Sequence, residues 1–153
     1  MRGICETHAV VRAAKTDLLH QHLKYRADVG RAEPNADAAA IERTVLDYFL
    51  GWFEGDPARM ERAVHPELVK RSLDGQSLRT ITAQSMIDAT AQGHGKREHP
   101  DDLHVEIEIE DILGGLANVT VRSAVYTEYL HLMRAADGWK IVNDVWQSTP
   151  GVT

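Results

Sequence analysis

The chain has 153 residues, the size of one ordinary domain, and can bury enough apolar surface to fold without disulfides or a structural metal. Its 17 Lys and Arg residues against 23 Asp and Glu give a net charge of −6, so no basic field attracts nucleic acid or acidic lipids, and we expect neither nucleic acid nor membrane as a partner. Cys5 has no second cysteine to pair with, and the sequence shows neither a secretory signal nor an apolar run of about 18 residues, so we expect a cytoplasmic protein.

The first 35 residues are predicted to form a helical arm. Val11, Leu18, His22 and Tyr25 recur at helical spacing, and the stretch "GRAEPNAD" separates them from the remainder. Residues 36–149 are predicted to form the folded domain.

The strongest helix in the chain comes next and is predicted to end at Gly55, with Asn35 or Asp37 as its N-cap. Apolar side chains recur along it at steps of three and four residues: Ile41, Val45, Tyr48, Phe49 and Trp52. Tyr48 and Trp52 either belong to a plain core or form the aromatic wall of a pocket. A short helix, capped by Asp56, then carries Met60 inward.

The stretch "HPELVKRSLDG" changes the period from helix to strand. Leu68, Lys70 and Ser72 alternate with a second set that includes Arg71, and Asp74-Gly75 favours a hairpin turn. A helix from about Thr82 to Gln92 follows.

Long strands occupy the rest of the chain. "LHVEIEIEDI" places its apolar residues on one face, "LANVTVRSAVYTEYLHLM" is predicted to bend near residues 123–127, and "WKIVNDVWQS" is the last strand. Helices first and antiparallel strands afterwards predict an α+β domain, with the helices on one face of a curled sheet.

"GWFEGDPARMERAVHPELVKRSLDG" and "YTEYLHLMRAADGWKIVNDVW" resemble the nuclear-transport-factor-two-like superfamily, whose fold is also called cystatin-like. Within it, the chain looks most like the group labelled putative lumazine-binding, a neighbour of the SnoaL-like polyketide cyclases and of ketosteroid isomerase. The resemblance covers residues 38–148 and implies a cone: a curved antiparallel sheet with N-terminal helices packed on its concave face and a pocket between them. It does not by itself imply a reaction.

Two residues of the opening strand are candidates for chemistry. His65 either moves a proton in the cone mouth or satisfies a backbone carbonyl in a turn. Lys70 is predicted to face the cone rather than Arg71, because Ser72 beside it leaves room for a ligand. We therefore expect Lys70→Met to leave the fold intact and abolish binding of an anionic or carbonyl-bearing ligand, whereas Arg71→Met does neither.

The later strands supply the other candidates. Tyr129 and His131 share one face of "TEYLHLM", and His131 is a second candidate for proton transfer. Asn143 is the polar exception on an otherwise apolar face of the last strand, and an inward amide there either closes a structural hydrogen-bond network or orients a ligand carbonyl, of which we favour the ligand. We expect no metal or other cofactor, because the five-residue spacing of His94, His99 and His104 does not suit a chelating site.

Two functions compete. The first is a pocket that binds an apolar, pterin-like or carbonyl compound and returns it unchanged. The second is an acid–base enzyme of the isomerase, dehydratase or polyketide-cyclase type, with His65 or His131 moving a proton and Lys70 stabilising an enolate. The sequence favours binding, since it offers no inward carboxylate that can be assigned as a base. A role in protein interaction alone is the third possibility.

A homodimer is also predicted, through the broad convex face of the sheet and with the N-terminal arm packed on the partner or the sheet. Trp52 and Trp139 are both predicted to lie in the core, so replacing Trp52 with alanine should unfold or nearly unfold the domain.

Overall fold

The structure is a computed structural model that describes residues 9–12, 36–99 and 103–150, with the backbone alone at 9–12. Three helices lie in these ranges: α1 (Ala36–Glu54), α2 (Pro57–Ala63) and α3 (Ala83–Ala91). Gly55 ends α1 with a φ of 72°, and the Asp56 side chain caps α2 by accepting from the backbone N–H groups of Ala58 and Arg59. The predicted stop at Gly55 and the predicted cap at Asp56 are confirmed, whereas the short helix ends at Ala63, before the predicted stop at His65-Pro66.

Seven strands of the described chain form one sheet in the order β1-β4-β5-β6-β7-β2-β3. The strands are β1 (Ala9–Arg12), β2 (Val64–Asp74), β3 (Ser77–Thr82), β4 (Glu106–Leu113), β5 (Leu116–Arg122), β6 (Tyr126–Ala135) and β7 (Gly138–Ser148). Neighbouring strands are antiparallel, except that β2 runs parallel to β7. The curved sheet is not closed, and the helices cover its concave face, as the α+β cone predicts.

The core lies between α1, α2 and the concave face. Ile41, Phe49 and Phe53 of α1 meet Ile107 of β4 and Leu130 of β6, all 0–1% exposed. The alternation predicted for "LHVEIEIEDI" is confirmed, because Leu103, Val105, Ile107 and Ile109 are all buried. No helix of the described ranges is long and apolar enough to cross a membrane.

Two segments differ from the sequence-based prediction. Val10 and Val11, assigned to a helical arm, lie in β1 and pair with β4; the remainder of the predicted arm lies outside the described residues. The bend predicted near residues 123–127 is a complete chain reversal between β5 and β6. The Ser123 hydroxyl holds it by accepting from the backbone N–H groups of Val125 and Tyr126.

A β-bulge in β7 resets the alternation of the last strand. Leu132 pairs with Ile141 and His131 with Asn143, so Val142 is an extra residue on β7. Asp144 therefore falls on the concave face with Ile141, and Asn143 is turned to the convex face. This one-residue insertion determines which polar side chains enter the cone.

Candidate functional site

A cavity of about 490 Å³ lies between α1, α3 and the concave face of β2, β3, β6 and β7. Its lining divides into a buried floor, a largely apolar wall and an exposed mouth. The floor contains Tyr48, Lys70 and Glu128; the wall contains Phe49, Trp52, Ile81, Met86, Ala89, Tyr126 and Trp146; the mouth contains Arg79, Thr80, Ser85 and His94.

The floor is built around the ammonium group of Lys70, which is 5% exposed. Lys70 Nζ donates to Asp144 Oδ2 at 2.6 Å, to Tyr48 Oη at 2.7 Å and to Glu128 Oε2 at 2.9 Å. The Tyr48 hydroxyl donates in turn to Asp144 Oδ2 at 3.0 Å. All three N–H donors of the ammonium are thus used within the protein, which leaves none of them for a ligand.

Two carboxyl groups share this one ammonium at a buried position, so ionising both is costly. Burial and the neighbouring Asp144 raise the pKa of Glu128 from 4.5 to about 8, against the opposing effect of Lys70. Asp144 Oδ2 accepts two of the hydrogen bonds and Glu128 Oε2 only one. At neutral pH Glu128 is therefore a neutral carboxyl group beside the Lys70 ammonium.

The two other members of the floor are held in their ordinary charge states. Burial alone would lower the pKa of Lys70, but the carboxyl groups of Glu128 and Asp144 outweigh it and the pKa is raised. Burial, followed by Asp144 and Glu128, raises the pKa of Tyr48 well above its usual value. Lys70 therefore stays an ammonium and Tyr48 a neutral phenol.

Two buried polar atoms near the floor have no hydrogen-bond partner within the described chain: Asp144 Oδ1 and the indole nitrogen Nε1 of Trp146. An unpaired buried donor or acceptor costs about 1–3 kcal/mol, which a ligand or a water molecule can recover.

Aromatic rings form a continuous wall above the floor. Phe53 stacks on Tyr126 with ring centres 6.2 Å apart, and Tyr126 meets Trp146 edge-on at 5.4 Å. Trp52 is half-buried and lies under the loop that follows α3: a methyl group placed on Gly95 would lie 2.1 Å from Cε2 of the Trp52 ring. Glycine at position 95 lets the loop close on Trp52 and brings His94 to the mouth.

The structure brings Lys70, Tyr48 and Trp52 together in this cavity. The predicted register of β2 is confirmed, since Leu68, Lys70 and Ser72 are buried on the concave face whereas Leu73 is 71% exposed. Trp52 belongs to the wall rather than to the closed core, and Trp139, at 4% exposure, lies in the core as predicted.

The assignment of His65 to the cone mouth is wrong. Its Nδ1 accepts from the backbone N–H of Glu67 at 3.1 Å, a local role in the turn, although toward an N–H rather than the predicted carbonyl, and it does not line the cavity. His131, Tyr129 and Asn143 are also wrongly placed, because all three lie on the convex face. There Asn143 Nδ2 lies 3.2 Å from His131 Nδ1, and Asn143 Oδ1 accepts from Arg71 at 2.9 Å.

Sequence reasoning missed both carboxyl groups of the floor. Glu128 alternates with Leu130 and Leu132, both 0–1% exposed, and that pattern alone would have placed it inward. Asp144 is on the concave face only because of the bulge at Val142, for which the sequence gives no signal. No group of three metal-ligating side chains occurs among the described residues, which do not include Asp101 and Asp102.

A family model described as "Putative lumazine-binding" matches residues 36–147. No curated protein matches the chain. Among solved structures, an NTF-2-like protein of unknown function from Silicibacter pomeroyi DSS-3 superposes with a TM-score of 0.66 at 16% identity, covering 77% of this chain and 100% of that one.

Two further solved structures share the architecture. A ketosteroid isomerase-like protein from Erwinia carotovora atroseptica SCRI1043 gives a TM-score of 0.53 at 15% identity, over 76% of this chain and 99% of the other. A domain of unknown function with a cystatin-like fold from Nostoc punctiforme PCC 73102 gives 0.54 at 13% identity, over 75% and 78%. At these identities the similarity shows the fold alone.

Proposed function

The chain belongs to the putative lumazine-binding family of the nuclear-transport-factor-two-like superfamily, and we propose that its cavity binds a small planar carbonyl compound of the pterin type and releases it unchanged. One observation carries the proposal: a cavity of about 490 Å³ has aromatic walls and a floor of buried, hydrogen-bonded polar groups. Ligand pockets of roughly 300–1,000 Å³ are commonly built in this way, with a few polar groups that orient the ligand.

The wall suits a flat ring. Trp52, Tyr126 and Trp146 offer ring faces and edges around one space, and Met86 adds a polarisable side chain from α3. A bicyclic heteroaromatic compound can stack there while its edge reaches the floor.

Glu128, rather than Lys70, makes the polar contact in this proposal. The Lys70 ammonium already donates to three protein oxygens, so it neutralises and orients the carboxyl groups instead of touching the ligand. A protonated Glu128 donates a hydrogen bond to a ring carbonyl. Because the floor has no net positive charge, it favours a ligand whose contacting ring edge is neutral over a ligand whose contacting edge is anionic.

Titration calorimetry with lumazine tests the binding proposal. Ala89 of α3 lines the cavity and Ala91, on the same helix, is exposed and does not. We expect lumazine to bind the wild type and Ala91→Trp with equal affinity, and Ala89→Trp to lose binding because the indole fills the space. Equal binding by both variants would place the ligand elsewhere, and mass spectrometry of the recovered compound should show lumazine unchanged.

Acid–base catalysis is the second candidate, and the protonated Glu128 on the cavity floor favours it. A carboxyl group with a pKa of about 8 can give and take a proton near neutral pH. If the site is an enzyme, it should exchange hydrogen for deuterium next to the carbonyl of a bound ketone, followed by NMR in D₂O. Glu128→Gln should then slow exchange by roughly 10²–10⁴.

Glu42 supplies the matched control for that measurement. It is buried on α1, burial raises its pKa too, and it does not line the cavity. Glu42→Gln should leave exchange unchanged if Glu128 moves the proton. Absence of exchange in the wild type would rule out this catalytic role and leave ligand binding as the only proposed function of the cavity.

We further propose that two copies pair through the convex face. Every large hydrophobic side chain that is 47% or more exposed in the described ranges lies on that face by register: Leu73, Leu78, Leu113, Leu116, Tyr129, Met133 and Val145. Several large apolar side chains exposed on one face are typical of an interaction site. A second copy is the partner that presents the same surface, as a two-fold interface requires.

Light scattering tests the dimer. We expect the wild type to have twice the mass of one chain and Tyr129→Glu, at the centre of the face, to have the mass of a single chain. Glu61, exposed on α2, gives a control in Glu61→Gln, which should remain dimeric. A wild type with the mass of one chain would refute this proposal.

A further inference from the structure

The cavity has opposite electrostatic character at its two ends. At the floor, the ammonium of Lys70 is already paired with Glu128 and Asp144, so an anionic group would meet the Glu128 carboxyl group and no free cation. At the mouth, the only formally charged side chain among the described lining residues is the guanidinium of Arg79. A ligand therefore meets different charges at its two ends.

Arg79 points into the cavity because of its register. Ser72 pairs with Arg79 and Lys70 with Ile81, and directly paired residues of an antiparallel ladder lie on the same face. Arg79 is therefore the diagonal neighbour of Lys70 across the hairpin, and their Cα atoms lie roughly 7–8 Å apart. The guanidinium stands on the route from solvent to the floor.

Arg79 is available to bind a ligand. No ion pair or hydrogen bond of its side chain occurs within the described ranges, whereas Arg59, Arg62, Arg122 and Arg134 each pair with a carboxylate there. Asp74, one pair further along the hairpin on the same face, is exposed and is not joined to Arg79.

Two further polar side chains lie beside Arg79 at the mouth. Ser85 belongs to the first turn of α3, and a side face of that helix lines the cavity. His94 enters from the loop fixed against Trp52. Both side chains can add hydrogen bonds to a group that Arg79 holds.

The distance between the two ends sets the ligand length. Glu128 is on β6 and Arg79 on β3, three inter-strand spacings apart in the order β6-β7-β2-β3. That is on the order of 14 Å along a flat sheet, and less across a concave one. A bicyclic ring that touches the floor therefore needs a short substituent to reach the guanidinium.

Resting on the ligand site proposed above, we infer that Arg79 makes the cavity selective for a planar ring that carries an acidic substituent, with the ring at Glu128 and the acid at the mouth. This orientation is the reverse of the expectation that Lys70 receives the anion. Arg79 is then a specificity-determining residue, and an acid placed on the ring edge that faces the floor would be rejected.

Calorimetric titration with pterin and pterin-6-carboxylate tests the inference, because the two probes share one ring and differ by one acid. We expect the wild type to bind the carboxylate roughly three- to tenfold more tightly than pterin, the range of an ion pair that remains partly hydrated. Arg79→Gln should bring the ratio of the two affinities to about one. Added salt should reduce the wild-type ratio.

Arg43→Gln is the matched control, since Arg43 is exposed on α1 and does not line the cavity. It removes the same charge and should keep the wild-type ratio, which separates local contact from net charge. Pterin binding with no preference for the carboxylate, or an unchanged ratio in Arg79→Gln, would overturn the inference and leave the proposed function standing. Failure of the wild type to bind either probe would overturn both.

Discussion

The two faces of the sheet reverse the usual placement of charge and apolar surface. The concave face buries Lys70, Glu128 and Asp144, each at most 5% exposed, whereas the convex face exposes Tyr129 and Met133 to about half of their area. Charged groups are seldom buried without partners, and large apolar side chains are seldom grouped in solvent. Folding alone requires neither arrangement, so each face supports one of the two proposals: a small molecule bound inside the cone and a second copy of the chain on the convex face.

The comparison also distinguishes adjacent residues of one strand. Lys70 is enclosed by two carboxyl groups and a phenol, and Arg71, the next residue, donates to Asn143 on the convex face. Their side chains carry the same charge, yet the cost of removing that charge differs because only Lys70 is cut off from water.

The largest effect is expected from Lys70→Met. Removing the ammonium leaves Glu128 and Asp144 buried side by side, and breaking a buried ion pair by removing one partner costs about 3–5 kcal/mol. We therefore expect a loss of this size in the free energy of unfolding, measured with urea, rather than the intact fold that the strand pattern alone predicts. Arg71→Met should cost less than about 1 kcal/mol.

A double variant shows whether the cost arises from the unpaired carboxyl groups. Glu128→Gln removes one of them, so Lys70→Met combined with Glu128→Gln should be less destabilised than the sum of the two single variants. Strict additivity, or equal losses for Lys70→Met and Arg71→Met, would contradict the account of the floor.

Trp139 and Trp52 separate the core from the cavity wall on the concave side. Trp139 is 4% exposed and its indole donates to Asp37 at 3.2 Å, so Trp139→Ala should cost about 3–5 kcal/mol. Trp52 is half-buried beside empty space, so Trp52→Ala should cost less than Trp139→Ala. Urea unfolding measures the two losses in free energy of unfolding. A larger loss for Trp52→Ala would mean that Trp52 is a core residue rather than part of the cavity wall.

The charge state of Glu128 makes stability depend on pH. Its pKa is raised in the folded protein from 4.5 to about 8, so folding takes up a proton between these values. The contribution is complete below about pH 4.5 and is lost as the pH rises to about 8, so stability falls across this window.

Glu128→Gln removes that contribution, and the decline in stability between pH 5 and 8 should become shallower, as measured by urea unfolding at a series of pH values. Burial raises the pKa of Glu42 as well, so a residual decline with the same sign remains. An unchanged slope in Glu128→Gln would mean that the floor proton resides elsewhere.

Gly95→Ala is expected to reduce stability less than Lys70→Met or Trp139→Ala. The added methyl group would overlap the Trp52 ring at 2.1 Å, and overpacking typically costs about 1–3 kcal/mol. Gly115→Ala is the control, because its methyl group meets only Arg134 Cβ at 3.7 Å. Thermal unfolding should distinguish the two, and equal melting temperatures would show that the loop does not close on Trp52.

The fold was largely predictable because its signals are local. The alternation of Leu68, Lys70 and Ser72 sets the register of β2, and the caps at Asp56 and Thr82 begin α2 and α3. The cone shape was predicted from the resemblance to a known superfamily, because local sequence patterns do not determine how a sheet curves.

The site was less predictable because its contacts are distant in sequence. The Lys70–Asp144 contact spans 74 residues and depends on the bulge at Val142, where the expected alternation fails. The contact between Gly95 and Trp52 likewise joins two segments that are distant in sequence, and the local sequence of neither segment predicts it. Asn143 was assigned to the pocket for the same reason that Asp144 was missed.

The indole ¹H–¹⁵N NMR signals test most directly whether the concave cavity is the ligand site. The chain has three tryptophans: Trp52 and Trp146 line the cavity, whereas Trp139 lies in the core with its indole bonded to Asp37. On titration with lumazine, and with signals assigned from single Trp→Phe variants, we predict that the Trp52 and Trp146 signals shift together and Trp139 stays in place. Shifts at Trp139 alone, or no shift at Trp52 and Trp146 while lumazine binds, would contradict a ligand site in this cavity.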